Sequence, residues 1–300
     1  MPGLDSVVIV TADSGPIVID CVARVLASES EVEVIVVDNA SSDDTMEALR
    51  GRHAGEPRLR ILRNATNLGF GRACNRGAGV AAGDALLFLN PDCLVEADTL
   101  VRLRGIAAGE ACTGLVGVRV EDADGRVERA ARRREPTLRR ALMTLSGLAR
   151  FEGRCPALAG IAVRAAPASG MTGPVEAVSG ACLYLPRAAF DAVRGFDEDY
   201  FLHCEDLDLC RRLRDSGRSI LYADGIRVRH EQGSSSHHRA SFVARHKHRG
   251  MWRYFVRFDP AARNPLLRAL VWIGIWSHYL AQAPLRALRG KRRRSGGRVT

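Results

Sequence analysis

Val34-Ile35-Val36-Val37-Asp38-Asn39-Ala40-Ser41-Ser42-Asp43-Asp44-Thr45 is the stretch whose reading decides the architecture. Four β-branched residues in a row, without alternation, describe a strand buried on both faces, as in a parallel sheet. The strand runs into an acid and then into Ser and Asp, the residues that open a helix. The same unit recurs outward in both directions. Strands are predicted at Ser6–Thr11, Val32–Val37, Leu59–Leu62, Ala85–Leu89 and Leu115–Val120. Helices are predicted between them at Pro16–Ser28, Asp43–Arg50, Gly71–Ala81 and Glu96–Ala108. Repeated strand-helix-strand units make an α/β domain with a mostly parallel, Rossmann-like sheet, whose ligand belongs outside the carboxyl ends of the strands.

Beyond residue 120 the pattern loosens. Residues 121–172 are rich in Arg, Ala and Gly, with an amphipathic basic helix expected over Thr137–Phe151. Val175–Leu185 reads as one strand, or as two with a break at Ser179-Gly180. Glu205–Ser216 reads as a helix ended by Gly217, and Ser219–Tyr222 and Ile226–Arg229 as short strands. A Gly-Ser-Ser-Ser stretch after His230 marks a boundary. The organisation expected is a catalytic unit over 1–235, with a nucleotide half (1–120) and an acceptor half (121–235), followed by a helical extension over 236–300.

Charge sets that extension apart. Of the net +10, residues 236–300 supply +14, with 15 Lys and Arg against Asp259, which leaves −4 for the rest. All three Trp (Trp252, Trp272, Trp276) lie there too. Ala269–Leu285 carries no charged residue and is followed by Arg286, Arg289 and Lys291–Arg294. Seventeen uncharged residues are at the lower limit for a membrane span. A helix lying in the interface, with Trp at headgroup depth and Arg on anionic lipid, is the expected arrangement. A packed helical hairpin and a disordered basic end are the plainer alternatives. Nucleic acid is not expected as a partner, because no groove-reading motif or aromatic β-surface accompanies the charge. The eight Cys have no C-x-x-C pair or zinc spacing and read as small core residues in a reducing compartment. The N-terminus shows no signal-peptide pattern, so the expected location is cytoplasmic, peripheral at the inner face of the cytoplasmic membrane.

Four clusters carry chemistry, each with an ordinary structural explanation beside it. Asp38, at a strand's carboxyl edge, suits a ring N–H or a ribose hydroxyl, but also a plain turn. Asn67-Leu-Gly69-Phe-Gly71-Arg-Ala-Cys-Asn75 puts glycines at a loop-to-helix junction, where backbone N–H groups meet phosphate or sugar. As a dinucleotide fingerprint it is weak, since Cys74 stands where a third small residue belongs. Leu86-Leu-Phe-Leu-Asn90-Pro91-Asp92-Cys93 is a core strand leaving through a Pro-stiffened turn, which aims Asp92 into the crevice. One carboxylate with diphosphate oxygens and water is a typical Mg2+ or Mn2+ arrangement. Glu205 and Asp206 open a helix, where the macrodipole favours the ionised form that a general base needs. His230, ending a strand, is a candidate second metal ligand.

In this order, the set Val37-Asp-Asn-Ala-Ser-Ser-Asp-Asp-Thr, Asn67-Leu-Gly-Phe-Gly-Arg-Ala-Cys-Asn, Asn90-Pro-Asp, Val178-Ser-Gly-Ala-Cys, Gly195-Phe-Asp-Glu and Cys204-Glu-Asp-Leu-Asp-Leu resembles family 2 glycosyltransferases of the GT-A fold, nearest the rhamnosyltransferase-like branch. The resemblance spans about residues 6–231. It implies an inverting, metal-dependent hexosyltransferase using a nucleotide-sugar, with dTDP-L-rhamnose as the donor suggested by the branch. It also implies a polyprenyl-linked or polysaccharide acceptor. Asp38 would contact the nucleoside, and Thr11, Asp13, Asn39, Gly69, Asn75 and Asn90 would complete the donor site. Ser179, Gly180 and Ala181 would line the sugar pocket. Asp92 and His230 would hold Mg2+ or Mn2+, and Asp206, beside Glu205, would be the base. Two departures stand out: Ala12 replaces the usual stacking residue after the first strand, and Asn90 replaces the first acid of the D-x-D motif. Two alternatives are a binding protein with a degenerate site and another nucleotide-diphosphate enzyme. The latter would want a Lys after the first strand, and Thr11-Ala-Asp-Ser-Gly-Pro has none.

Overall fold

The computed structural model of the chain describes residues 3–163, 170–231 and 240–283. In chain order its elements are β1 (Asp5–Thr11), α1 (Ile17–Leu26), β2 (Val32–Asp38), α2 (Thr45–Arg52), β3 (Leu59–Arg63), α3 (Phe70–Val80), β4 (Ala85–Leu89), β5 (Cys93–Leu94), α4 (Thr99–Gly109) and β6 (Thr113–Glu121). They continue with β7 (Arg132–Arg133), α5 (Leu138–Leu145), β8 (Thr172–Pro174), β9 (Ala177–Val178), β10 (Cys182–Pro186), α6 (Arg187–Ala192), α7 (Glu205–Asp215), β11 (Ser219–His230), α8 (Ala240–Phe258) and α9 (Pro265–Ala281).

One nine-stranded sheet runs β3-β2-β1-β4-β10-β6-β11-β5, with β8 added to β11. The strands read as doubly buried occupy its centre: Val7–Ile9, Val34–Val37 and Leu86–Leu89 are all essentially inaccessible. Strands β1 to β4 are parallel and in step, with Thr11 opposite Asp38 and Ile9 opposite Leu89. Their carboxyl ends therefore form one edge, which carries Thr11, Asp38 and Asn90. Strand β10 lies antiparallel between β4 and β6, so the second half of the chain completes the same sheet.

Two local readings changed, and one that the sequence leaves open is decided. Ser219–Tyr222 and Ile226–Arg229 are one strand, β11, carried through a register shift between Ala223 and Arg227. Val175–Leu185 is two strands, with β9 paired to β7 in a small second sheet and β10 in the main one. The helix expected over Thr137–Phe151 stops at Leu145, because Gly147 takes a left-handed conformation (φ 76°), and a 3-10 turn follows over Leu148–Phe151. The cysteines are all free; six are buried, whereas Cys112 and Cys155 are exposed.

Over its described residues, 240–283, the extension is helical, and α8 turns part of its charge inward. Arg253 pairs with Asp197 at 2.9 Å, Arg257 with Asp208 of α7 at 2.9 Å, and the Tyr254 hydroxyl donates to Glu135 at 3.2 Å. These three residues of the basic extension are internal ties. Helix α9 is different: it packs on α8 and leaves Leu266, Leu270, Trp272, Ile273 and Leu280 exposed. Among the described residues no helix is long and apolar enough to cross a membrane. The Gly-Ser-Ser-Ser boundary, Arg286, Arg289 and Lys291–Arg294 lie outside the described residues.

Candidate active site

A cleft of about 780 Å3 opens at the carboxyl edge of the sheet. Its first wall comes from the loops after β1, β2 and β3, through Ala12, Asp13, Asn39, Asn67 and Gly69. The loops are knitted by side chains. Asp13 accepts from Ser42 N–H at 2.6 Å, and Asn39 donates to the Gly69 carbonyl at 3.1 Å while accepting from Leu68 N–H at 3.0 Å. Gly69 (φ 86°) passes so close to Phe201 that a Cβ would sit 2.5 Å from its carbonyl oxygen, so no larger residue fits without movement. Thr11 and Asp38 lie beneath this wall and are fully buried. Asp38 accepts from Ser41 N–H at 2.8 Å and faces Arg63 at 3.3 Å; Asn39, not Asp38, reaches the cleft surface. Asn75 is not on the cleft either. Its amide clamps Phe196, donating to the carbonyl and accepting from the N–H, both at 2.9 Å.

The floor is Asn90, Pro91 and Asp92. Strand β5, directly after them, pairs with the end of β11, and Cys93 opposes His230. That register brings His230 Nε2 to 3.0 Å from Asp92 Oδ1 across the sheet edge. On its other side His230 Nδ1 lies 2.7 Å from Glu128 Oε1. Burial opposes a charge on the ring, but the hydrogen bonds and charges of the two carboxylates prevail and raise its pKa to about 10. Asp92, Cys93 and His230 bring potential ligand atoms within 4.8 Å of one another. The Cys93 thiol is fully buried and burial pushes it well above the usual range, so it stays protonated and packs in the core. A carboxylate and an imidazole, with room beside them for phosphate oxygens, suit a divalent cation.

The third region is the start of α7. His203 and Cys204, at φ 69° and 71°, are consecutive left-handed residues, a conformation that costs roughly 1–3 kcal/mol at each. They turn the chain sharply, so that α7 begins with Glu205 and Asp206 packed behind Ser179-Gly180. Asp206 is held from three sides. Its Oδ2 accepts from Gly180 N–H at 3.0 Å and from Arg133 of β7, and its Oδ1 accepts from Leu207 N–H at 2.8 Å. Arg133 also donates to the Val178 carbonyl at 2.8 Å. Beside this pair, Glu205 is buried and its Oε2 has no hydrogen-bond partner among the described residues. Burial first, and then the Asp206 charge, push its pKa up. Two adjacent carboxyls thus differ in surroundings: Glu205 is pushed toward its neutral form, whereas Asp206 has Arg133 as its partner. Neither lines the cleft itself; His203 does. Ser179 and Ala181 are buried and knit to each other, with Ala181 N–H on Ser179 Oγ at 3.3 Å.

The last wall was not legible from sequence. It is formed by Phe242, Val243, Ala244, Lys247, His248 and Met251 of α8, with His278 and Gln282 from the end of α9. His248 Nδ1 lies 2.6 Å from the Ala244 carbonyl and its Nε2 lies 3.1 Å from His278 Nδ1, which ties the two helices together. Glu128 and Arg133 were missed as well. Both lie in the irregular stretch after β6, and no local pattern marks either one.

The geometry can be set beside known proteins. Residues 6–167 match the model of the family described as "Glycosyl transferase family 2". An N-acetylglucosaminyl-diphospho-decaprenol L-rhamnosyltransferase of Mycobacterium tuberculosis is 31% identical over 96% of this chain and 95% of its own length. Among solved structures, a mannosyltransferase from Pyrobaculum calidifontis in complex with GDP-Man and Mn2+ is similar with a TM-score of 0.58. It is 16% identical, over 100% of this chain and 77% of that one. GalNAc-T7, solved with UDP, GalNAc and Mn2+, has a TM-score of 0.59 at 15% identity, over 78% of this chain and 44% of that one. At such identities these two likenesses concern the fold.

Proposed function

Because the chain belongs to glycosyl transferase family 2, we propose that its cleft performs a metal-dependent, inverting transfer of L-rhamnose from dTDP-L-rhamnose to a hydroxyl of a polyprenyl-diphosphate-linked sugar. The observation that carries the reading is the meeting of Asp92 and His230 at the floor of the cleft, 3.0 Å apart, in a chain similar end to end to a rhamnosyltransferase of that acceptor class.

Asp13, Asn39 and Gly69 would receive the nucleoside end of the donor, and Asp92 and His230 would hold Mg2+ or Mn2+ against its diphosphate. Bound there, such a cation neutralises charge developing on the leaving diphosphate. Asp206, set behind the cleft lining three residues after His203, would take the proton of the acceptor hydroxyl once the acceptor reaches past that lining, as that oxygen attacks the sugar's anomeric carbon on the face opposite the departing diphosphate. The bond to the diphosphate breaks as the new one forms, and the configuration inverts. Of the two Asp206 oxygens, Oδ1 suits the proton better. It accepts one backbone N–H, whereas Oδ2 is shared by Arg133 and Gly180. Such a base contributes typically ~10²–10⁴-fold.

We also place the enzyme at the inner face of the cytoplasmic membrane. The exposed apolar side of α9, next to a strongly basic end of the chain, supports an interfacial position. The deciding assay incubates the protein with dTDP-L-rhamnose, Mn2+ and a short-chain prenyl-diphospho-N-acetylglucosamine, and determines the product's anomeric configuration by NMR. Retention, or equal transfer after Asp92→Ala and chelation of metal, would overturn the mechanism. Failure to float with anionic vesicles would overturn the placement.

A further inference from the structure

The wall contributed by α8 lies outside residues 6–167, the part that matches the family model, and the chemistry above makes no use of it. We infer that Lys247 on α8 is a diphosphate-binding residue, so that the C-terminal hairpin completes the active site and is not only a surface anchor. The inference rests on the nucleotide-sugar reading of the cleft.

Charge is the first argument. Lys247 is the one Lys or Arg among the described residues that line the cleft, where it shares the walls with Asp13, Asp92 and Glu128. A cation at Asp92 and His230 offsets those acids, but the diphosphate then brings negative charge that one divalent ion does not cover. An ammonium on a flexible stem is a common point-charge partner for phosphate oxygens.

Availability is the second. Lys247 is exposed and makes no ion pair among the described residues, whereas Arg253 and Arg257 on the same helix are committed to Asp197 and Asp208. The fold does not use the Lys247 charge, so a ligand can.

Position is the third. Helix α8 touches the strained corner before α7 at Gly250, where a Cβ would stand 2.7 Å from the His203 carbonyl oxygen and 3.2 Å from Cys204 Cβ. That contact, with the Arg253 and Arg257 ion pairs one and two turns later, fixes α8 over the start of α7. Lys247 lies three residues before Gly250, on the cleft side. The Phe201 ring packs on Phe242 and His246 with centroids 5.4 and 4.4 Å apart, joining α8 to the loop that meets Gly69. The cationic wall is thus rigidly referenced to both the donor loops and the Asp206 helix.

The test uses the full chain and two readouts. Titration calorimetry of dTDP and dTMP with saturating Mn2+ is run on the parent, Lys247→Ala, Lys247→Arg and Arg249→Ala. The KM for short-chain prenyl-diphospho-N-acetylglucosamine is measured at saturating dTDP-L-rhamnose. Loss of a charge-assisted contact should weaken dTDP binding about 10- to 100-fold in Lys247→Ala, and dTMP binding less. Lys247→Arg should recover part of the loss. Arg249→Ala, which changes the same charge on the same helix away from the cleft, should bind like the parent. Unchanged melting temperatures confirm folding. If dTDP affinity holds within about twofold while the prenyl-diphosphate KM rises tenfold, the diphosphate is the acceptor's and the subsite stands. If neither parameter moves, the inference is overturned. A parent protein that binds no dTDP, UDP or GDP in Mn2+ overturns the nucleotide-sugar reading together with it.

Discussion

Arg133 offers the sharpest test of how the start of α7 is held together. Its guanidinium is the direct counter-charge of Asp206, and Glu205 beside it is already pushed toward the neutral form. Arg133→Met keeps most of the volume and removes the charge. Asp206 would then keep only the N–H groups of Gly180 and Leu207, with its side chain 12% exposed. Breaking a buried pair from one side costs about 3–5 kcal/mol, mostly the price of an uncompensated charge. Loss of the hydrogen bond to the Val178 carbonyl adds about 1 kcal/mol. The assay is urea denaturation at pH 7.5 of the parent, Arg133→Met, Asp206→Asn and the double variant. The double variant should be more stable than the summed single effects predict, by at least about 2 kcal/mol, since neither unpaired charge remains. Additivity within about 0.5 kcal/mol would mean that the two groups do not depend on each other, and the account of the base's environment would fall.

Three further outcomes follow from the same geometry. Glu128→Gln should weaken Mn2+ binding about 10- to 100-fold by calorimetry, because Glu128 orients His230 from behind; unchanged affinity would show that the contact is idle. Glu205→Gln should alter the pH dependence of stability. A carboxyl whose folded pKa is raised binds a proton that the unfolded chain has lost, so parental stability falls as pH rises from about 4.3 toward the folded value. The variant should match the parent near pH 4 and exceed it by roughly 1–3 kcal/mol at alkaline pH, and parallel curves across that range would contradict the buried, unpartnered oxygen. Gly250→Ala should destabilise by roughly 1–3 kcal/mol, since the new methyl meets the His203 carbonyl at 2.7 Å. It should also lower activity through the displaced corner; a variant with parental melting temperature and turnover would mean that α8 does not brace α7.

What was legible in the sequence is what local chemistry encodes. The doubly buried strands announce themselves as β-branched runs, and Asn90-Pro91-Asp92 announces an exit because a proline-stiffened turn follows four core residues. His230 could be named as a candidate ligand from its place at a strand end, but its meeting with Asp92 could not be derived locally, because the contact depends on β11 pairing with β5 at His230 opposite Cys93. Register between strands so far apart is set by the whole sheet. Glu128 and Arg133 were silent for a similar reason: an acid or a basic residue in an irregular segment has no period to betray which way it points. The extension is ambiguous for a different reason. Basic residues interleaved with aromatics look the same whether they face lipid or reach back to buried acids, and only Asp197, Asp208 and Glu135 decide that Arg253, Arg257 and Tyr254 do the latter.

The two acidic clusters of the site solve the same electrostatic problem with different cations, and the difference matches the work each has to do. Asp92 and Glu128 close on His230, a group that can give up its proton. With Nδ1 turned to Glu128, Nε2 and the Asp92 carboxylate, which face each other at 3.0 Å, would be the ligands of the proposed metal, and an imidazole that loses its proton becomes a ligand instead of a rival charge. Asp206 closes on Arg133, whose guanidinium is never deprotonated in a protein. A histidine there would make the counter-charge of the proposed base depend on pH; an arginine keeps it constant while Oδ1 remains the less engaged oxygen. Under the proposed mechanism, the cluster that would exchange its cation is built around a titratable one, and the cluster that would hold the base is built around a permanent one.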